Sequence, residues 1–207
     1  MNIGIIGAGN VGSALTRACI AAGHSVRVSA AHPIEAQELA AETGAIAAQS
    51  NAEAVAEADI VILAVPYSAL SQIAVELVDE LAGRIVVDVT NTGAPDLDHR
   101  LPTTSAAEEL QDTVSEARVV KAFNTVFASL QGTPVVEGMR LEGLFATDDD
   151  YARDRVSALL ASLGYEPLDC GPLIMARALE DMALVNVRLN ALNGWQWRTA
   201  WKLVGVR

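Results

Sequence analysis

The sequence predicts an α/β protein: a doubly wound parallel sheet with a C-terminal helical extension. Three observations carry this expectation. Unbroken apolar runs such as "NIGIIG", "ADIVILAV" and "RIVVDVTN" recur, each the mark of a strand buried on both faces. Helical patterns with their own start and stop residues lie between them. The composition, 51% apolar with 19% charged and only 4% aromatic residues, suits an Ala/Val/Ile/Leu-rich sheet covered on both sides.

Taken in order, residues 2–7 read as the first strand and 10–22 as a helix, with Val11, Leu15, Ala18 and Ala22 on one stripe. Gly23 stops that helix, and "SVRVS" (25–29) is the second strand. Pro33 opens the next helix, at a position where its missing N–H costs nothing, and the pattern runs to Thr43. "GAIAAQS" suggests a short third strand, after which Asn51 is expected to cap a brief helix. The fourth strand is 58–65, a helix follows Pro66 over 67–82, and the fifth strand is 84–91. The stretch 92–104, with Gly93, Pro95 and Pro102, is a loop long enough to suggest function. Ser105 and Glu108 form a capping box, 117–124 and 143–147 are further strands, and aspartates 148–150 open a helix that Gly164 closes. "YEPLDCG" is a short strand, 173–193 a long helix, and a Trp-rich tail ends the chain. The alternation stops near residue 170. The expected division is therefore a doubly wound sheet domain over 1–170 and a helical cap over 171–207.

The formal net charge of −12 disfavours nucleic acid or an anionic membrane as partner, since both reward clustered Lys and Arg. Cys19 and Cys170 stand alone, and His24, His32 and His99 are scattered, so no metal-ligand spacing is present. Neither a leader segment nor a membrane-length apolar run is read, and the expectation is a cytoplasmic protein.

The motif that carries chemistry is Gly7-Ala8-Gly9-Asn10-Val11-Gly12, a G-x-G-x-x-G between a strand and a helix. Gly7 permits the tight turn, Gly9 lets backbone approach a pyrophosphate, and Gly12 lets helix and strand pack closely. An NAD-selective site usually ends strand two in Asp or Glu; here Ser29, Ala30, Ala31 and His32 stand there. With neither carboxylate nor arginine, the sequence tolerates NADP without demanding it. Other strand ends bring Ala64, Val65, Pro66 and Tyr67, then Asn91, then Ala122 and Asn124 toward the nicotinamide. Asn91 and Asn124 suit a carboxamide or ribose, or simple loop capping. Lys121 and Tyr67 are weak candidates for a proton donor, with a structural role as the alternative for the lysine.

With these residues in view, the chain resembles a known family. "IGIIGAGNVGSAL", "VILAVPYSAL", "IVVDVTN", "TSAAEEL", "VVKAFNT" and "LDCGPL" occur in the order found in NADP-dependent oxidoreductases of the deazaflavin coenzyme F420. Their bacterial relatives and the cytosolic reductase domain of the STEAP metalloreductases share the pattern. The resemblance implies a Rossmann fold and direct hydride transfer between NADP(H) and coenzyme F420 or a flavin. It places Ala8, Gly9, Asn10 and Val11 in the pyrophosphate loop and Val65 and Pro66 beside the nicotinamide. The family's Ser-Arg pair for the 2′-phosphate falls on Ala30 and Ala31, so the expected preference for NADP over NAD is modest. Two other readings stay open: a small imine or carbonyl reductase, and a redox sensor that binds dinucleotide without turnover. The apolar helix 173–193 and the tryptophans 195, 197 and 201 suggest a homodimer, with the tail near the nicotinamide end.

Overall fold

Each apolar run becomes a strand, and the strands join in one eight-stranded sheet. The computed structural model describes residues 1–93 and 103–205. Most of the loop expected over 92–104, and His99 with it, lies outside the described residues. β1 (Asn2–Ile6), α1 (Asn10–Ala21) and β2 (Ser25–Ser29) form the first βαβ unit, extended by α2 (Pro33–Thr43) and β3 (Ile46–Ala47). α3 (Asn51–Val55) leads into β4 (Ile60–Leu63), which pairs with β1 on the side away from β2. Ser50, not Asn51, caps α3: its side chain accepts from the Glu53 amide.

The helix expected over 67–82 is two helices, α4 (Tyr67–Glu76) and α5 (Val78–Leu81), parted at the fully buried Leu77. Pulling that side chain into the core turns the chain without any Gly or Pro to announce it. β5 (Ile85–Asp88), α6 (Ala106–Thr113) and β6 (Arg118–Ala122) continue the parallel sheet, and α6 opens with the expected Ser105–Glu108 capping box. Beyond β6 the pattern changes. The short helix α7 (Ala128–Gln131) and the two-stranded hairpin β7 (Val135–Val136) and β8 (Met139–Arg140) intervene. β9 (Glu142–Thr147) then runs antiparallel to β6, so the sheet is mostly rather than wholly parallel. α8 (Asp150–Ser162) crosses to β10 (Glu166–Asp169), parallel to β9. A 3-10 turn (Leu173–Met175) precedes α9 (Ala176–Asn193), so the last helix starts later than the pattern suggests.

The strand order is β10-β9-β6-β5-β4-β1-β2-β3. Successive strand residues point to opposite faces and bury both. Ile5, Ile62, Val87 and Val120 pack under Leu15, Leu39 and Leu159 on one side; Ile6, Leu63, Val86 and Val119 meet Leu70, Leu77 and Leu110 on the other. Among the described residues, no helix is long and apolar enough to cross a membrane.

Candidate dinucleotide cleft

The chain leaves β1 to one side through β2 and to the other through β4, so the carboxyl ends of these strands open a crevice at the point where the strand order reverses. The Gly-rich turn sits in it, and its three glycines do different work. Gly7 has φ +110°, and a Cβ there would lie 2.2 Å from the Ala64 carbonyl oxygen. A Cβ on Gly12 would lie 1.9 Å from the Gly7 carbonyl oxygen, so α1 packs directly on the turn. A Cβ on Gly9 would meet nothing within 4 Å. Its face opens into the cleft, and as N-cap of α1 it offers no side chain to the first amides. That is an open cradle of N–H groups at the positive end of a helix, which fits a pyrophosphate.

On one side of the turn a groove of about 440 Å³ is lined by Gly7, Ala8, Gly9, Ala30, Ala31, Ala64, Val65 and Pro66. Glu35, Asn51, Gln72 and Glu76, which the sequence reading did not single out, complete it. Ser29 lies beneath its floor. The hydroxyl is buried and donates to Asn51 Oδ1 at 2.8 Å, while the carbonyl accepts from the Gly7 amide at 2.9 Å. Asn51 Nδ2 in turn donates to Glu76. His32 is exposed at the N-cap of α2 and makes no side-chain capping bond.

On the other side a smaller cavity of about 130 Å³ lies among Val11, Val89, Asn91, Phe123, Asn124 and the α9 residues Ala183, Asn186 and Val187. Asn124 Nδ2 donates to Asn91 Oδ1 at 2.9 Å, and Asn124 Oδ1 is buried without a partner. An acceptor left bare at a cavity wall suits a donor on a ligand, such as a carboxamide N–H. Ala122 is buried in the core beneath the cavity; its neighbour Phe123, in the left-handed region with φ 63°, turns the chain into the cavity wall instead. Asn10 lines a third, open groove with Ala8, Gly9, Phe127, Ser129 and Trp197. The tail reaches this groove because Trp197 stands edge-on to Phe127 at 5.6 Å and its carbonyl accepts from the Ser129 hydroxyl. Trp201 is elsewhere, its indole N–H donating to the Met182 carbonyl.

Neither proton-donor candidate faces the cleft. The Lys121 ammonium is fully buried and spends its three N–H groups on Asp88 Oδ2 at 2.6 Å, Glu180 Oε1 at 2.6 Å and the Thr90 carbonyl at 2.5 Å. Glu180 also accepts from the Thr92 and Ala106 amides, so this cluster ties β5, β6, α6 and α9 together. The Tyr67 hydroxyl donates to Glu109 Oε2 at 2.6 Å across a different groove, between α4 and α6. That carboxylate and partial burial push its pKa up to about 12. Asp88, Glu180 and Glu109 had no visible signal in the sequence; only strand pairing and helix packing bring them together.

A glycine-cradled helix N-terminus at the switch point of a doubly wound sheet, with a groove on either side, defines a dinucleotide-binding protein of the Rossmann class. Residues 2–92 match the family described as NADP oxidoreductase, coenzyme F420-dependent. The chain is 35% identical over 187 residues to metalloreductase STEAP3 of Rattus norvegicus, a match covering 88% of this chain but 36% of that one. It is 32% identical over 148 residues to the F420-dependent NADP reductase of Methanocaldococcus jannaschii, covering 68% and 66% of the two chains. The chain thus spans about a third of the first relative's length and just under two thirds of the second's. A crystal structure assigned to an F420-dependent NADP-reductase of Arthrobacter sp. FB24 superposes with a TM-score of 0.87 at 28% identity, over 99% of this chain and all of that one.

Proposed function

We propose that this protein is a nicotinamide-dinucleotide-dependent oxidoreductase that passes a hydride between the nicotinamide and a second ring cofactor, coenzyme F420 or a flavin. One observation supports this reading above the others. Among the described residues, the cavity wall offers side-chain amides, the Thr125 hydroxyl and apolar side chains but no ionisable group, while Lys121 and Tyr67 are engaged elsewhere. Hydride transfer between two rings needs registry and dryness, not a protein acid. A bound dinucleotide supplies the hydride chemistry. The chain's own residues hold the pyrophosphate on the α1 amides, present Asn124 Oδ1 and Asn91 to the nicotinamide amide, and exclude water with Val11, Val89 and Phe123. Phe127 and Trp197 offer flat apolar faces for the partner ring in the neighbouring groove. The exposed apolar stripe Val185, Leu189 and Leu192 on α9 supports pairing of two copies through that helix.

The test is isotopic. Dinucleotide deuterated at C4 of the reduced ring is mixed with coenzyme F420, FMN or FAD, and the label is followed. Deuterium should appear on the reduced deazaflavin, and Tyr67→Phe should leave the rate unchanged. Turnover confined to imines or carbonyls, with Tyr67→Phe inactive, would establish the imine-reductase reading instead.

A further inference from the structure

The groove beside Ala30 and Ala31 lacks the parts that a 2′-phosphate requires. No Lys or Arg lines it among the described residues; its two charged side chains are the carboxylates Glu35 and Glu76. The arginines on these elements are engaged away from it, and His32, exposed at the N-cap of α2, is not among the lining residues. Arg27 pairs with Glu57 at 2.7 Å, and Arg17 lines the opposite groove and is held in two bonds by Glu42. The start of α2 could have served as an anion site, but it is spoiled as one. Pro33 has no N–H to give, the Glu35 amide donates to the His32 carbonyl, and the Glu35 carboxylate occupies the first turn. Glu76 is held by the Asn51 amide, which the buried Ser29 hydroxyl orients in turn. The acidic group absent from the end of β2 is thus present in the groove, delivered from the next helix and from the end of α4.

We propose that this chain selects the dinucleotide with a free 2′-hydroxyl, NAD(H), and that Glu35 and Glu76 exclude the 2′-phosphate of NADP(H). The proposal rests on the dinucleotide reading of the cleft. It departs from what the family description implies, because the residues at this end do not fit the phosphate. A carboxylate accepts a hydrogen bond from a ribose hydroxyl, whereas it meets a phosphate dianion with like charge and no donor.

Equilibrium binding tests it without turnover, by calorimetry with NADH, NADPH, 5′-AMP and 2′,5′-ADP on the full chain. NADH should bind at least about tenfold tighter than NADPH, with the same order for the two adenosine probes. The ratio should narrow as salt rises, since these charges are exposed to ions. Glu35→Gln with Glu76→Gln should tighten NADPH several-fold relative to NADH, and Ala31→Arg should tighten it further. Equal or tighter binding of NADPH by the wild type overturns the proposal while leaving the dinucleotide reading intact. So does a double variant that moves both ligands equally, since that is only a change in net charge. Binding of neither dinucleotide overturns both readings.

Discussion

Gly9 and Gly12 are identical in chemistry and opposite in consequence. Gly9 has extended backbone angles that any residue adopts, with empty space where its Cβ would stand. Gly9→Val is therefore expected to keep the wild-type melting temperature and lose about tenfold or more in dinucleotide affinity, measured by fluorescence titration. Gly12→Ala drives a methyl into the Gly7 carbonyl, and should lose about 1–3 kcal/mol of stability in urea unfolding. Lys121 is the other decisive residue. Lys121→Met leaves Asp88 and Glu180 buried without their cation, and should cost about 3–5 kcal/mol in the same assay. If the variant is as stable as the wild type yet catalytically dead, the lysine belongs to the chemistry after all. The glycine motif was legible from spacing alone. The lysine's setting was not, because Asp88 becomes its neighbour only through β5–β6 register and Glu180 arrives from a distant helix.

At the scale of elements, α6 and α9 are joined at their surfaces by charge as well as by packing. Arg177 forks onto both Glu108 oxygens, at 2.8 and 2.6 Å, while Glu108 closes the capping box. The Arg177 hydrogen bond holds the Glu108 carboxyl below the usual carboxylate range; burial opposes it, and the Ser105 hydrogen bonds add to it. A carboxyl whose folded value is depressed contributes stability above its unfolded value, about 4.3, and loses that contribution as pH falls through the folded one. The stability gap between wild type and Arg177→Gln should thus be present at pH 7 and shrink as pH falls below about 4, read by urea unfolding across pH. A gap that stays constant down to pH 2 would mean that the arginine acts by packing alone. Strands and the α6 capping box were readable here because apolar runs and the S-x-x-E spacing are local, whereas the α3 cap fell on Ser50 and not on Asn51. The split at Leu77, the hairpin β7–β8 and the direction of β9 were not. A strand's apolar pattern is the same whichever way it runs, and Leu77 ends a helix only because the core accepts it.

For the whole molecule, the C-terminal tail is the segment whose placement matters most. Its Trp197 lies in the groove that also carries Gly9 and Asn10, whereas Trp201 packs back on α9. Deleting residues 194–207 should therefore weaken a ring acceptor far more than the dinucleotide, measured as separate Michaelis constants. Light scattering on the same protein tests the α9 pairing independently, since Val185, Leu189 and Leu192 remain in place. A truncated monomer with unchanged acceptor kinetics would remove both the pairing and the tail's part in the site. Fold class came from patterns that repeat along the chain, and the Gly-rich turn from a single local spacing. Glu35, Glu76 and Asn186 entered the cleft from three helices, where single polar residues carry no periodic mark.

The reversed strand β9 has a further effect on how the cleft is assembled. Since β9 and β10 run against the other strands, their carboxyl ends lie at the end of the sheet opposite the cleft, and α9 starts there and travels toward the cleft. It meets the cavity beside Asn91 and Asn124 with its middle turns, at Ala183, Asn186 and Val187. The cavity is consequently a matter of helical phase. One residue inserted between Gly171 and Ala176 would advance α9 by about 100°, carrying Asn186 out of the wall and a different face in.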